Sequence, residues 1–344
     1  MEKDLKNKTI VELEDIAVAY EQKKFIARNM FSFIHQHNAN DIDQFTTLSK
    51  QFRAFLKRDG YHLSQLKTVE VFADPDGTKK YLFELGDGTR IETVELLDEG
   101  RRTLCISTQV GCRMNCQFCA TARLRFTRNL TAAEIVDQVI QVEKASGKIN
   151  NIVYMGMGEP FDNYDETIKS VRMLNSSAGK NIGIRHITIS TAGVIPGIEQ
   201  LAEEGMQVRL AISLHAVRDH VREKIMRITK KYPLKPLLEA IMDYQRKTKR
   251  RVTFEYVMIN GLNDSVADAR ALTKQLAPIK ANINLIEYNP HEGCDFAPSS
   301  KKTIKAFQRI LADADYEVVI RFKRGQHIKA ACGQLGATWL KPNE

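Results

Sequence analysis

The 344-residue chain has no run of about 18 apolar residues, so nothing in it reads as a helix that crosses a bilayer. Its opening segment, MEKDLKNKTIVELEDIAVAY, carries charge where a secretory leader carries an apolar stretch. Both absences point to a cytoplasmic protein. Cysteine is scarce: six residues are too few to staple a chain of this length with disulfides, which suits a reducing compartment. Acidic residues are outnumbered, 42 against 51 Lys and Arg, for a net charge of +9. That excess favours a polyanionic partner, because each cation that neutralises a phosphate releases condensed counterions. At 43% apolar and 27% charged residues, the chain can bury a full core as a large domain with a small one attached.

What the chain does have is a group of three cysteines within eight positions. Cys112, Cys116 and Cys119, in GCRMNCQFCATARL, have the spacing C-x3-C-x2-C. A structural zinc site needs four closed ligands, usually two C-x2-C hooks, and no second hook follows within the next hundred residues. A [4Fe-4S] cluster tolerates three protein thiolates when its fourth iron is kept for a small molecule. S-adenosylmethionine (SAM) chelated there can be cleaved by one electron to a 5'-deoxyadenosyl radical. Zinc held by these three and a distant Cys or His stays open at this point.

The pattern from Thr9 to about Gly60 is helical, with apolar residues near i, i+3 and i+4 in TIVELEDIAVAY, KKFIARNMFSFIHQ and SKQFRAFLKRDG. TVEVFAD, KYLFELG and RIETVELL then read as short strands, with hairpin turns at Asp74-Pro75-Asp76-Gly77 and Gly86-Asp87-Gly88. After Leu104 apolar strands alternate with helices: LCISTQV, NIVYMGMG, HITISTAG, VRLAISLH, RVTFEYVMI and INLIEYNP, with YEVVIRF last. Thr131 to Glu134 reads as a capping box, and Asn263 to Val266 as another helix start. Six βα repeats of near-continuous apolar strands predict a parallel sheet closed into part of a barrel. The expected fold is α/β, a partial (β/α)6 barrel over 101–344, with a helical module over 1–65 and an antiparallel meander over 66–100. Chemistry in such barrels gathers at strand C-terminal ends, where Gly158, Glu159, Ser190, Ser213, His215 and Asn289 fall.

Single motifs remain ambiguous. Gly156-Met157-Gly158-Glu159 lacks the third glycine of a dinucleotide fingerprint and is followed by Pro160. Missing side chains there would let the backbone run close to the methionine part of a cofactor, with Glu159 accepting from its amine, or the segment is a turn with a solvated carboxylate. His215 alone reads as easily as a packing residue, and Cys332, Cys105 and Cys294 as small buried hydrophobes. Basic residues cluster at 246–251, at Arg123, Arg125 and Arg128, and near the C-terminus at Lys301, Lys302, Lys305, Arg321, Lys323 and Arg324. Together they favour RNA over a set of solvated loops.

Taken in order, LCISTQVGCRMNCQFCAT, RNLT, MGMGEP, ISTAG, ISLH, YNP and AACGQL resemble the RlmN/Cfr family of radical SAM RNA methyltransferases over nearly the whole chain. The resemblance implies a [4Fe-4S] cluster on Cys112, Cys116 and Cys119. It implies SAM contacts from Gly158, Glu159, Ser190, Ser213, Leu214, His215 and Asn289. Two SAM would be used per turnover, one to methylate Cys332 and one to supply the radical that activates the S-methyl group. The methylene radical adds to an adenine ring carbon, a covalent protein-RNA adduct forms, Cys105 resolves it, and Glu92 is the general base. A disulfide bond, a reducing donor such as flavodoxin or ferredoxin, and a monomer are also expected from the resemblance.

Pro160 and Gln109-Val110-Gly111 look more like the RlmN branch, which methylates C2 of adenine in 23S rRNA, with tRNA open as a second substrate. The C8 outcome of the Cfr branch stays open, as does a basic RNA-binding protein with a structural cluster. The chain departs from the family pattern at Arg125 before Phe126, at Arg227-Ile228-Thr229, and at Gly325-Gln326-His327-Ile328-Lys329, where a histidine stands in place of an acidic residue.

Overall fold

A computed structural model describes residues 3–321 and 323–337. The first helix, α1 (Ile10–Ala19), starts at a capping box: the Thr9 hydroxyl accepts from the Glu12 N–H, and the Glu12 carboxylate accepts from the Thr9 N–H. α2 (Phe25–His35) and α3 (Lys50–Arg58) bury Met30, Phe31, Ile34, Phe52 and Leu56. These side chains belong to the same apolar core as Ile135 and Val139 of α4 (Ala132–Ser146). The Lys6 ammonium, 2.7 Å from Asp137 Oδ1 with both side chains 1% exposed, ties the opening segment to α4. Such a pair repays its desolvation only when further hydrogen bonds complete it, and the Leu66 N–H donates to the other Asp137 oxygen.

Three strands follow: β1 (Lys67–Ala73), β2 (Lys79–Glu84) and β3 (Arg90–Asp98), joined by hairpins at the two expected turns. Gly77 and Gly88 occupy left-handed backbone there, with φ of 85° and 80°. β3 also pairs antiparallel with β4 (Arg101–Cys105). The run LCISTQV does not continue as one strand. After Cys105 the backbone turns to the Gly156–Gly158 loop, the Gly156 N–H donating to Ile106 O and the Thr108 N–H to Met157 O. Gln109–Val110 forms a separate two-residue strand, β5, paired with β6 (Arg128–Asn129).

From β4 onward the sheet is parallel. Its members are β7 (Asn151–Tyr154), β8 (Ile187–Thr191), β9 (Arg209–Ser213), β10 (Val252–Met258), β11 (Ala281–Glu287) and β12 (Glu317–Arg321). Meander and barrel therefore make one ten-stranded sheet, ordered β1-β2-β3-β4-β7-β8-β9-β10-β11-β12. The intervening helices are α4, α5 (Tyr164–Asn175), α6 (Ile195–Glu203), α7 (Asp219–Ile225), α8 (Leu234–Thr248), α9 (Val266–Leu276) and α10 (Lys301–Ala312).

The Thr131–Glu134 capping box opens α4 as expected. The second expected start is displaced: α9 is capped by Ser265 and Asp268, while Asn263 is buried, accepts from the Ile259 N–H and donates to His215 O and Val257 O. Among the described residues, no helix is long and apolar enough to cross a membrane.

Candidate active site

The strand C-terminal ends enclose a cavity of about 180 Å³. Cys112, Cys116 and Cys119 line one wall of it. The loop that carries them is held from below by an isolated bridge between Cys116 and Met226 and by the Gln117 N–H donating to Ile225 O. Burial pushes the Cys112 thiol up to about 12, the Cys116 thiol well up and the Cys119 thiol up. Backbone N–H groups of Met114, toward Cys112, and of Thr121 and Ala122, toward Cys119, favour the thiolates and partly offset that burial. Three buried thiols, two of which already receive amide donors, fit a positively charged inorganic group, whose charge takes the place of their protons. Among the described residues no group of three or more His, Cys, Asp or Glu side chains is arranged to hold a single metal ion. Three thiols lining one cavity suit a [4Fe-4S] cluster whose fourth iron is kept for a small molecule, where a structural zinc ion would want a fourth protein ligand.

The expected SAM residues come from four strand ends. Gly158, Glu159, Ser190, Ser213, His215 and Asn289 all line this cavity. Leu214 does not. Its side chain is wholly buried, and its backbone accepts from Arg222 Nε at 2.9 Å and donates to Glu255 O. The two glycines of MGMGEP are required by packing as well as by any ligand: a Cβ on Gly156 would lie 2.6 Å from the Ile106 carbonyl, and one on Gly158 2.6 Å from Gln109 Cβ. Glu159 is not a solvated turn residue. At 3% exposed, it accepts from the Ala192 N–H at 2.7 Å and the Phe161 N–H at 3.1 Å, and burial raises its carboxyl to about 7. A cationic amine in the cavity would restore its charge.

His215 sits at φ 61°, uncommon for a residue with a side chain. Its Nδ1 accepts from the Val257 N–H at 3.0 Å and burial lowers its pKa to about 3, so the ring is neutral and its proton lies on Nε2. The Phe118 ring meets the imidazole edge-on at 4.8 Å.

One residue that organises these ends gave no signal in the sequence. Arg222 is fully buried and donates to Leu214 O, Ala192 O, Ser213 O and Thr229 Oγ1, pinning the ends of β8 and β9 together. Burial lowers its pKa to about 10, which leaves it charged at neutral pH, beside Cys116. Thr229, one of the departures from the family pattern, thus still supplies an acceptor oxygen. The signal was present only as an arginine on a short helix, indistinguishable from a surface one.

The C-terminal segment crosses the cavity. Cys332 opens onto it, while the surrounding protein raises its thiol, with the Arg321 charge acting against that rise. Asn289 Nδ2 donates to Cys332 O, the Ala120 N–H to Gly333 O, the Thr121 hydroxyl to Leu335 O and the Gly336 N–H to Glu92 Oε2. Cys105, at the end of β4, is pushed up to about 12 by burial first and by the nearby Cys332 second. Glu92 is wholly buried, lies outside the cavity lining and pairs with Lys80 at 3.0 Å. Cys294 donates to Gln117 O beside the cysteine loop. All six cysteines are free thiols, so the expected disulfide is not formed. His327, another departure, turns to the β1–β2 hairpin, where Asp74 Oδ2 accepts from its N–H and lies 3.1 Å from its Nδ1.

Comparison with known proteins agrees with this geometry. Residues 106–272 match the Radical SAM superfamily, and residues 3–60 match the Ribosomal RNA large subunit methyltransferase N-terminal domain. The chain is 44% identical over 332 residues to the Dual-specificity RNA methyltransferase RlmN of Pelobacter propionicus, covering 96% of this chain and 95% of that protein. It is 43% identical over 336 residues to the protein of the same name from Geotalea uraniireducens, covering 97% of each. A crystal structure of a radical SAM methyltransferase from Sphaerobacter thermophilus superposes with a TM-score of 0.91 at 42% identity, covering 97% of this chain and 99% of that one. The chain accordingly belongs to the RlmN family of radical SAM RNA methyltransferases, which work with a [4Fe-4S] cluster and SAM.

Proposed function

We propose that this protein methylates C2 of an adenine in 23S rRNA, and an adenine of tRNA as a second substrate, through an S-methylcysteine at Cys332. The observation that carries the reading is the meeting of two thiols from opposite ends of the fold: Cys332 lines the cavity of the three cluster cysteines and lies near enough to Cys105 to push the Cys105 thiol up. An RNA-binding protein with a structural cluster has no use for that pair. The names of the relatives, dual-specificity RNA methyltransferases, support two kinds of RNA.

Cys112, Cys116 and Cys119 would hold the cluster, and Glu159, Ser190, Ser213, His215 and Asn289 would hold SAM against it, with Glu159 accepting from its amine. When bound, the cluster supplies the electron that splits SAM into methionine and the radical that takes a hydrogen from the S-methyl group.

Every other role falls to the chain. Cys332, as thiolate, displaces a first methyl group from SAM, releasing S-adenosylhomocysteine. Arg321 is the cation placed to favour that thiolate. The carrier carbon then joins adenine C2, an sp2 position too poorly nucleophilic to attack SAM directly. Cys105, as thiolate, then attacks the Cys332 sulfur, breaking its bond to the carrier carbon, which takes up a proton as the methyl group is completed, and leaving a Cys105–Cys332 disulfide for a reducing partner to reopen. Glu92 takes the ring proton once its contact with the Gly336 N–H opens, since that contact and its burial keep it out of the cavity.

Nucleoside mass spectrometry on rRNA and tRNA from cells with and without this gene tests the reading. We expect 2-methyladenosine to disappear with the gene. Loss of 8-methyladenosine instead would move the protein to the Cfr-type outcome, and no change in either nucleoside would overturn the assignment.

A further inference from the structure

The segment Tyr288-Asn289-Pro290 after β11 brings a second polar group to the cavity besides Asn289. Tyr288 lines the same cavity as Cys112, Cys116 and Cys119 and is 1% exposed. Its hydroxyl is buried and, among the described residues, has no hydrogen-bond partner of good geometry. A buried hydroxyl left unpaired carries a desolvation penalty that nothing in the fold recovers. Such a group in a folded protein asks for an explanation, and an ion or ligand that it meets is one. The ring, in contrast, is held firmly. Phe296 meets it edge-on with centroids 6.1 Å apart, and His291 does so at 6.4 Å. It also belongs to an apolar group with Met226, Val257 and Ile259. The hydroxyl is therefore fixed in place by its own ring, not free to turn toward a better partner.

What surrounds that hydroxyl is sulfur. Cys116, Phe118 and Cys294 pack against the apolar group that contains Tyr288. Burial first, and then the Cys294 and Cys119 thiols, push the Tyr288 hydroxyl up, so it keeps its proton at neutral pH. The Cys294 thiol donates its own proton to Gln117 O at 3.3 Å, in the loop between Cys116 and Cys119. No aligned hydrogen bond joins it to Tyr288. Once the three cluster thiols are thiolates, these sulfurs have no proton to offer, and a protonated phenol among them can act only as a donor. Asn289, the next residue, is committed elsewhere, its amide donating to Cys332 O. The two neighbours thus divide their work: Asn289 holds the segment that carries Cys332, and Tyr288 stands beside the thiols of the cysteine loop.

We propose that the Tyr288 hydroxyl donates a hydrogen bond to a sulfur of the [4Fe-4S] cluster held by Cys112, Cys116 and Cys119, and that this bond makes the cluster easier to reduce. Reduction adds one negative charge to the cluster, and a donor aimed at one of its sulfurs favours the more negative state. Tyr288 is in this sense a positioning residue: no bond to it forms or breaks in the reaction. Its hydroxyl also finds in the cluster the partner that the rest of the fold withholds. The other acceptor that could occupy the cavity is the SAM carboxylate, so SAM affinity has to be read beside the potential. The inference rests on the assignment of the cluster to these three cysteines, and it is independent of the RNA substrate and of the adenine carbon that is methylated.

The test is a redox titration of anaerobically reconstituted full-length protein, followed by the EPR signal of the reduced cluster, without RNA and both with and without SAM. Tyr288→Phe keeps the ring and its contacts and removes only the hydroxyl. In this variant we expect the same iron and sulfide content as the parent and an unchanged SAM affinity. Its equilibrium constant for cluster reduction should be about tenfold lower, which for one electron is a potential about 59 mV more negative. A merely structural role for the hydroxyl would lower the cluster content or the melting temperature and leave the potential where it was. Cys294→Ala should move the potential little, and the double variant should match Tyr288→Phe. A Tyr288→Phe potential within about 30 mV of the parent overturns the proposal, whether or not SAM affinity falls. So does a Cys294→Ala shift as large as that of Tyr288→Phe with no further change in the double variant, because the hydroxyl would then act through Cys294. Parent protein that takes up no [4Fe-4S] cluster sinks the cluster assignment together with this inference, whereas a loaded cluster with an unmoved potential sinks this inference alone.

Discussion

Lys80→Met isolates what the wholly buried pair behind Cys332 does. Lys80 Nζ lies 3.0 Å from Glu92 Oε1, both side chains are 0% exposed, and the Phe72 ring is 5.1 Å from the ammonium. Nζ makes no well-aligned hydrogen bond, so charge rather than geometry holds the two groups together. Removing one partner of a buried pair takes the nearest opposite charge from the other and costs up to about 3 to 5 kcal/mol. With a urea m-value of about 3 kcal/mol/M for a chain of this size, the midpoint should fall by about 1 to 1.7 M. Lys80→Met/Glu92→Gln removes both charges and should recover most of that loss, because a neutral packed pair is often no worse than a buried ionic one. Glu92 also receives the Gly336 N–H, so the single variant should speed amide exchange in residues 332–337, the segment carrying Cys332. Urea melts of anaerobic protein, with mass-spectrometric exchange, read both effects. A single variant within about 0.3 M of the parent would refute the buried-charge reasoning. A double variant as unstable as the single would show that the loss was packing on Phe72.

Cys105→Ala should still accept a methyl group on Cys332 and still capture RNA, but not release it, so protein should co-migrate with RNA under denaturing conditions until nuclease is added; normal turnover by this variant refutes the assignment, and adenine methylation by Cys332→Ala refutes the carrier. Replacing Cys112, Cys116 or Cys119 by Ala should abolish 5'-deoxyadenosine formation from SAM under reducing, anaerobic conditions, whereas parent protein purified with tightly bound zinc and no iron would count against the cluster. His35, wholly buried among Phe31, Lys6 and Lys180, has its pKa pulled down to about 3, chiefly by burial. As pH falls below about 6.5 the unfolded chain takes up a proton that the folded one refuses, so stability held above 6.5 is lost toward 3, amounting to about 2 kcal/mol by pH 5. His35→Leu should flatten that part of the stability profile, and a profile of unchanged steepness would mean that the imidazole is solvated.

Local chemistry was legible in the sequence wherever one segment sufficed to express it. The C-x3-C-x2-C spacing needs no partner to count three thiols, and the turn at Asp74-Pro75-Asp76-Gly77 carries its own backbone preference. The Thr131–Glu134 box closes within four residues, and the strand-helix alternation follows from periodicity alone. Even the cavity was readable in outline, because parallel βα units deliver every strand end to one side of the sheet. What the sequence could not express were relations between distant segments. Leu214 belongs to an expected site motif, yet burial turns its side chain from the cavity. Arg222 becomes the clamp of two strand ends only once β8 and β9 lie side by side. The run at 246–251 counted as one of three basic clusters that together favoured RNA, and folding brings Asp243, Glu203 and Glu317 against three of its residues. Charge composition is additive along a chain, but ion pairing, burial and the sharing of a cavity depend on distances that only the tertiary structure sets.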